Sequence, residues 1–456
     1  MRIRMLLFSI ALSFVMSGFL FNALAQESPP QQSTTGPVPP PSVLEKSAMR
    51  MAPPAEGRAS KTLPVPGYEW RHGCGPTAVG MVIGYYDGLG FDDLIPGDAS
   101  TQTADVNQCI ASQGSGVRGV GVQKHYEDYA LPMDSSEPSV LADSSETYPV
   151  GCHTDDSIAD YMHTSWSSDG NFYGWSWSNM ISTAFGSFVD QQNYDYWYST
   201  DDLMISNGTL SWSVLTQEID NNRPMVFLVD TDGDGYTDHF VTVVGYSDGP
   251  PQQYGCLDTW YPYGDVRWCN FSGIGSGVPW GIWGGWSFRM YCLLQVQAVN
   301  GEVASDPDQS MFDPGASVTL TATPDEGYTF VSWTGDVPSG HETDNPLALT
   351  MDGNRSLTAV FALGQYTVTY QTDGTPGATL SGDTSQTVTY GDAFTPVTAN
   401  APAGYIFKYW VRTDGAPYFF FSANPLTLTN VAYDMTLTAT FVLDFSCGAE
   451  NWGRYR

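Results

Sequence analysis

At 456 residues the chain has the length of about three average domains, so a single compact core is not expected. Acidic side chains number 49 against 17 basic ones, a formal net charge of −32. That balance argues against nucleic acid or an anionic membrane as the main partner, because both are bound through Lys and Arg that displace counterions. Charged residues are only 14% of the chain while hydrophobic residues reach 42%, which excludes a disordered acidic tail and predicts a folded protein.

Arg2 and Arg4 precede an apolar run from Met5 to Phe21, and Ala23-Leu24-Ala25 is a small-x-small site before Gln26. This is the pattern of a signal peptide over residues 1–25. Ser9, Ser13, Ser17 and Gly18 interrupt the run, which weighs against a membrane anchor. No later window reaches the roughly 20 continuous apolar residues of a spanning helix, so a secreted or cell-surface protein with no transmembrane segment is expected. Residues 26–62 are rich in Pro (Pro29, Pro30, Pro37, Pro39, Pro40, Pro41, Pro53, Pro54) and read as a semi-stiff linker.

Residues 63–292 carry the candidate chemistry. In Gly73-Cys74-Gly75-Pro76-Thr77, Pro76 suits a first helical turn, and the apolar residues behind it predict a buried helix ending near Gly88. Cys74 then sits at a helix N-terminus, where unpaired amides and the helix dipole favour thiolate. A structural cysteine is the bland alternative. Further helices are expected over 153–162 and 211–220, followed by a buried strand at Met225–Val229. Asp230-Thr231-Asp232-Gly233-Asp234-Gly235-Tyr236-Thr237-Asp238 connects that strand to the next. Its carboxylates at positions 1, 3, 5 and 9, with Gly at 6, follow the spacing of an EF-hand-type Ca²⁺ loop. The expected ligands are Asp230, Asp232, Asp234, Asp238 and the Tyr236 carbonyl, although position 12 is Val241 rather than Glu. An acidic hairpin turn is the competing reading. His239 opens the apolar strand after this turn and is a candidate general base, and Asp258 is a candidate partner for its ring.

Cys74, then the His239 strand, then Asp258-Thr259-Trp260 resembles the papain-like superfamily, most closely its secreted, bacteriocin-processing (double-glycine) peptidase branch. The resemblance implies an α+β papain-like fold. It makes Cys74 the nucleophile, His239 the base and acid, Asp258 the orienting third member and Trp260 a shield over the His–Asp contact. A peptide or protein would be the substrate. The family's Gln before the Cys is absent; position 68 is Tyr. Tyr68, Trp70 and His72 are therefore the candidate second oxyanion donors, and a missing donor typically costs about 10²–10³ in rate. A same-fold amidase or transferase on cell-wall peptides, or an inactive binding protein, remains open beside the peptidase.

Seven cysteines suit one catalytic thiol plus up to three disulfides. Cys109–Cys152 and Cys256–Cys269 are the preferred pairs, with Cys447 reaching Cys292 or another chain. From Lys124 to Arg223 no Lys or Arg intervenes, which predicts a cleft that favours basic or neutral peptides.

The last third repeats itself. Gly327-Tyr328-Thr329-Phe330-Val331-Ser332-Trp333 returns as Gly404-Tyr405-Ile406-Phe407-Lys408-Tyr409-Trp410, and Asn345-Pro346 returns as Asn424-Pro425. Leu357-Thr358-Ala359-Val360-Phe361 likewise matches Leu437-Thr438-Ala439-Thr440-Phe441. Alternation in segments such as Ser317–Ala322 predicts half-buried strands. The units resemble the internalin-B-type (Listeria–Bacteroides) repeat, which implies small β-rich, β-grasp-like modules over 293–363 and 364–443. A tail follows at 444–456. An adhesion or spacer role is implied, with contact to a cell surface or polysaccharide.

Overall fold

The computed structural model describes residues 39–40, 59–111, 155–162, 164, 174, 176–260, 265–415 and 417–445. The signal segment, most of the linker, Cys152, Cys447 and the end of the tail lie outside the described residues.

Chain order begins with β1 (Ser60–Thr62) and then α1 (Cys74–Asp87), every residue of which is buried. A helix apolar all round must lie inside the protein, and α1 does. Among the described residues four further α-helices follow: α2 (Ala104–Ile110), α3 (Ile158–Tyr161), α4 (Ile181–Gln192) and α5 (Trp212–Asp220). Side-chain caps start α2, α3 and α5. Ser211 caps α5 by accepting from the Val214 amide, and Ser157 forms a capping box with Asp160.

The sheet beneath the helices comprises β2 (Trp197–Met204), β3 (Met225–Asp230), β4 (His239–Ser247), β5 (Gln253–Leu257), β6 (Arg267–Asn270) and β7 (Gly281–Ala298). Its order is β7-β3-β4-β5-β6, all antiparallel, with β2 on the outer side of β7. All of β3 and β5 is buried, and β4 is buried except at Tyr246, which explains their continuous rather than alternating apolar sequence. The Thr242 hydroxyl donates to the Ala78 carbonyl at 2.9 Å, fixing α1 on β4. Residues 60–62 were expected in the linker but pair with β4 from Ser60–Ser247 to Thr62–Gly245.

The remaining strands build the two repeats. The first uses β8 (Gly301–Asp306), β9 (Met311–Phe312), β10 (Ala316–Pro324), β11 (Tyr328–Gly335), β12 (Leu347–Met351) and β13 (Arg355–Leu363). In β10, Val318, Leu320 and Ala322 are buried and the intervening threonines exposed, as alternation predicts. The second uses β14 (Gln365–Thr372), β15 (Thr379–Ser381), β16 (Ser385–Thr389), β17 (Thr398–Asn400), β18 (Tyr405–Arg412), β19 (Phe420–Phe421) and β20 (Met435–Leu443).

The expected boundary near residue 292 lies within β7, whose residues 281–291 pair with β2 and β3 and whose residues 292–298 pair with β9 and β13. Three expectations need correction. No described residue of 299–445 is helical, so the repeats stack strands on strands and lack the helix of a β-grasp. Strand outweighs helix over the described residues, so α+β describes only the layer of helices on the first sheet. The proposed Cys256–Cys269 bond is also not formed: both side chains are buried thiols, hydrogen-bonded to each other. Cys109 and Cys292 are buried thiols as well, and the proposed partners Cys152 and Cys447 lie outside the described residues.

Candidate active site

The turn before α1 is held in a shape few residues adopt. His72 has φ 52° and Gly73 φ 150°, both in the region that penalises a Cβ. A Cβ on Gly73 would stand 2.8 Å from the Pro76 ring, so glycine is needed where the chain turns into the helix. Thr77 fastens the turn, its hydroxyl donating to the Gly73 carbonyl at 2.7 Å and accepting the Arg71 amide at 2.9 Å. The Arg71 guanidinium caps α2 through the carbonyls of Asn107 and Ala111 at 2.7–3.2 Å.

Cys74 is fully buried, and its Sγ accepts the main-chain N–H of Phe240 at 3.4 Å. The sulfur therefore lies beside the backbone at the start of β4, one residue after His239. A donor aimed at sulfur, together with the open amides of a helix N-terminus, stabilises negative charge there.

His239 is fully buried, and its Nε2 lies 2.7 Å from the main-chain carbonyl of Asp258. A carbonyl only accepts, so Nε2 carries the proton and Nδ1 carries the lone pair. Burial pushes His239 down to about 3; the Asp258 carbonyl opposes this and the Arg267 charge adds to it. The Trp260 indole stacks on the imidazole with ring centroids 3.8 Å apart and planes at 17°.

The Asp258 carboxylate is engaged elsewhere. Its Oδ2 meets Arg267 Nε at 2.8 Å and Nη2 at 2.7 Å, and its Oδ1 accepts the Trp260 amide at 3.2 Å. The expectation that this carboxylate orients the imidazole is thus changed, because the main-chain carbonyl is the group on Nε2. Arg267 also lies over the Trp280 ring at 4.5 Å, and Trp280 meets Trp260 edge-on at 6.3 Å. Neither Arg267 nor Trp280 was singled out from the sequence. The available signal was an arginine in a chain with only 17 basic residues, nine positions after a candidate catalytic Asp.

Residues 62–270 match the model of the Peptidase_C39 like family, and residues 292–365 and 366–444 each match the divergent InlB B-repeat domain. The chain is a Peptidase_C39-like domain followed by two InlB-type repeats. No curated protein matches it. Among solved structures, it is similar to the major pilin proteins T-13 and T3.2 of Streptococcus pyogenes at 10% and 9% identity. Those alignments cover 48% of this chain and 89% and 90% of the pilin chains, with a TM-score of 0.15 each, and carry no argument.

Within the C39-like domain the three candidate oxyanion donors separate. Tyr68 is remote: its hydroxyl donates to the Ala99 carbonyl at 2.5 Å and its ring fills the space beside Gly84. Gly84 lies ten residues beyond Cys74, about 15 Å along the helix. Burial also holds the Tyr68 phenol well above its usual value, so the residue is a packing element. Trp70 and His72 remain at the Cys74 end, their rings 6.3 Å apart. The Trp70 ring lies against Gly174, which in turn packs on Gly73, and the Trp70 amide donates to the Thr259 carbonyl at 2.7 Å.

The Asp-rich loop also differs from its expected form. Asp230, Asp232 and Asp234 each offer an oxygen within 4.8 Å of the others. Asp238 is not among them. Its carboxylate accepts the Thr231 amide and hydroxyl at 2.9 and 2.5 Å, and burial pushes it up to about 7. Tyr236 donates its amide to Asp234 at 2.8 Å and exposes its ring. The loop is tied to the neighbouring turn by Gly277 N–H to the Gly233 carbonyl (2.7 Å) and Trp280 N–H to the Asp230 carbonyl (2.6 Å).

Proposed function

We propose that the protein is an exported cysteine peptidase of papain-like type. Cys74 is the nucleophile, His239 the base and acid, and Asp258 the residue that orients His239. The observation that carries this reading is the contact of Cys74 Sγ with the amide of Phe240, the residue that follows His239, together with the Nε2–Asp258 contact that leaves Nδ1 with a lone pair. Nδ1 takes the thiol proton as sulfur attacks the scissile carbonyl carbon. The C–N bond then breaks as the imidazolium protonates the leaving amine. Water, deprotonated by the same nitrogen, cleaves the thioester to release the acid and restore the thiol. The Cys74 amide and one of Trp70 or His72 would bind the oxyanion.

The Asp230, Asp232 and Asp234 carboxylates form a donor set suited to Ca²⁺, with the Tyr236 carbonyl and water completing the shell. Such an ion would neutralise the crowded carboxylates and stiffen the turn leading into His239. Chelation with EDTA should lower the melting temperature, and Asp232→Asn should abolish that response. The repeats would hold the enzyme at a cell surface or polysaccharide.

One observation favours a second reading, a peptide-binding domain that does not hydrolyse. The carboxylate that would stabilise the imidazolium is paired with Arg267, and His239 is a weak base at about 3. Iodoacetamide labelling near neutral pH decides between them. Burial pushes Cys109 up to about 12 and Cys292 up to about 11, so a reactive site should label at Cys74 ahead of both. Peptide hydrolysis that disappears in Cys74→Ala supports the enzyme. An unlabelled Cys74 and no hydrolysis would leave the binding reading.

A further inference from the structure

We propose that Arg267 is a positioning residue for His239: it neutralises the Asp258 carboxylate and backs the aromatic stack, so that the Asp258 main-chain carbonyl sets the imidazole tautomer. The proposal deepens the peptidase reading and rests on it for its kinetic consequences, though not for its structural ones.

Two lines of contact run from one guanidinium to one ring. Through the first, Nε and Nη2 grip Asp258 Oδ2 at 2.8 and 2.7 Å, and the main-chain oxygen of the gripped residue receives His239 Nε2 at 2.7 Å. Through the second, the guanidinium covers Trp280 at 4.5 Å, Trp280 abuts Trp260, and Trp260 lies flat on the imidazole at 3.8 Å. The ring is thus fixed in its plane by a carbonyl and perpendicular to it by an indole. Both supports converge on Arg267, whose side chain is 11% exposed.

The chemistry explains why an arginine is used. A two-point grip on a carboxylate and a flat face for an aromatic ring require a planar fork, which lysine lacks. A buried pair also predicts a characteristic pattern of substitutions. Removing one partner strands a charge, whereas replacing both with neutral groups of similar size is often near neutral. A carboxylate acting directly on His239 predicts otherwise, because no change at position 267 could restore it.

The test compares Asp258→Asn, Arg267→Met and the double variant in the full-length protein. Each single change should lower kcat/KM by about 100-fold, mainly through kcat, as expected when a reacting group is displaced by a fraction of an ångström. The double variant should recover to within about fivefold of wild type. A double variant as slow as Asp258→Asn would overturn the proposal in favour of a direct carboxylate, and harmless single changes would overturn it too. If Arg267→Met alone does not fold, the double variant against wild type decides.

A second readout needs no turnover. The ¹⁵N spectrum of His239, assigned by a His239→Gln comparison, should show the neutral Nε2–H form in wild type and in the double variant. A switch of tautomer in the double variant would overturn the proposal. Absence of hydrolysis in every protein, wild type included, would defeat the peptidase reading while the spectra still judged Arg267.

Discussion

The two repeats share a plan but join the molecule differently. Each buries a tryptophan, Trp333 or Trp410, behind a bulged strand whose register shifts between Phe330 and Ser332 or between Phe407 and Tyr409. Each uses an asparagine amide as a clasp: Asn345 holds both main-chain groups of Ala322 at 2.8–2.9 Å, and Asn424 holds those of Ala399 at 2.8 Å. In both, the last strand runs parallel to the first, β13 along β7 and β20 along β14. The difference lies in that first strand. β14 belongs to the second repeat alone, whereas β7 begins deep in the C39-like sheet against β3. Trp333, Leu320 and Met351 consequently share one hydrophobic core with Cys74 and Phe240, while Trp410, Leu437 and Val368 form another. The first repeat therefore forms part of the wall of the enzyme-like unit, and the second is a module with its own interior.

Truncation should expose this difference most strongly. A chain ending at residue 292 loses the last third of β7 and the side chains buried against it, and should show no cooperative thermal unfolding. A chain ending at residue 364 should melt within a few degrees of the full protein's first transition. Equal behaviour of the two truncations would break the comparison. Single substitutions should give the next largest effects. Trp333→Ala and Trp410→Ala each remove a fully buried indole, at a cost of about 3–5 kcal/mol. The first should lower the transition that also reports on Cys74 labelling; the second should lower a separate transition and leave labelling unchanged.

The same division explains what the sequence made legible. Repetition, alternation and turn residues are local signals, and they located α1, the β3–β4 hairpin and both repeats. Cys74, His239 and Asp258 were legible because a helix start, a strand start and a strand end are also local features. Sharing of β7 was not legible, because a strand continuing from one sheet into another has no periodicity of its own. Arg267 escaped for a related reason: its importance lies in pairing across a hairpin and stacking on Trp280, both contacts made by the fold. Tyr68 and Asp238 were misassigned because nearness in sequence does not fix direction. Tyr68 runs along α1 to Gly84 rather than towards Cys74, and Asp238 turns back across its hairpin to Thr231.

The smallest effect concerns the ionic joint between the C39-like domain and the first repeat. Glu218 on α5 accepts Arg223 at 2.6 and 3.1 Å and Arg289 of β7 at 2.9 Å, and Arg223 reaches Asp313 of the first repeat at 3.4 Å. Burial pushes the Glu218 carboxyl up, but the two guanidinium groups outweigh it and hold it below its usual value. A carboxylate depressed in the folded state adds stability above its unfolded value of about 4.3, and that contribution is lost as pH falls through the folded value. Glu218→Gln should therefore cost about 1.5–3 kcal/mol at pH 7, the range for a hydrogen bond to a charged group. The deficit should shrink as pH falls below about 4, where the wild type loses the same charge. Differential scanning calorimetry across that range should show the first transition of wild type and variant converging in acid. The transition of the second repeat, whose described residues make no hydrogen bond or ion pair with Glu218, should be the same in both proteins at every pH. A variant that shifts both transitions equally would mean that the two repeats are coupled, and the contrast between a fused and an autonomous module would fail.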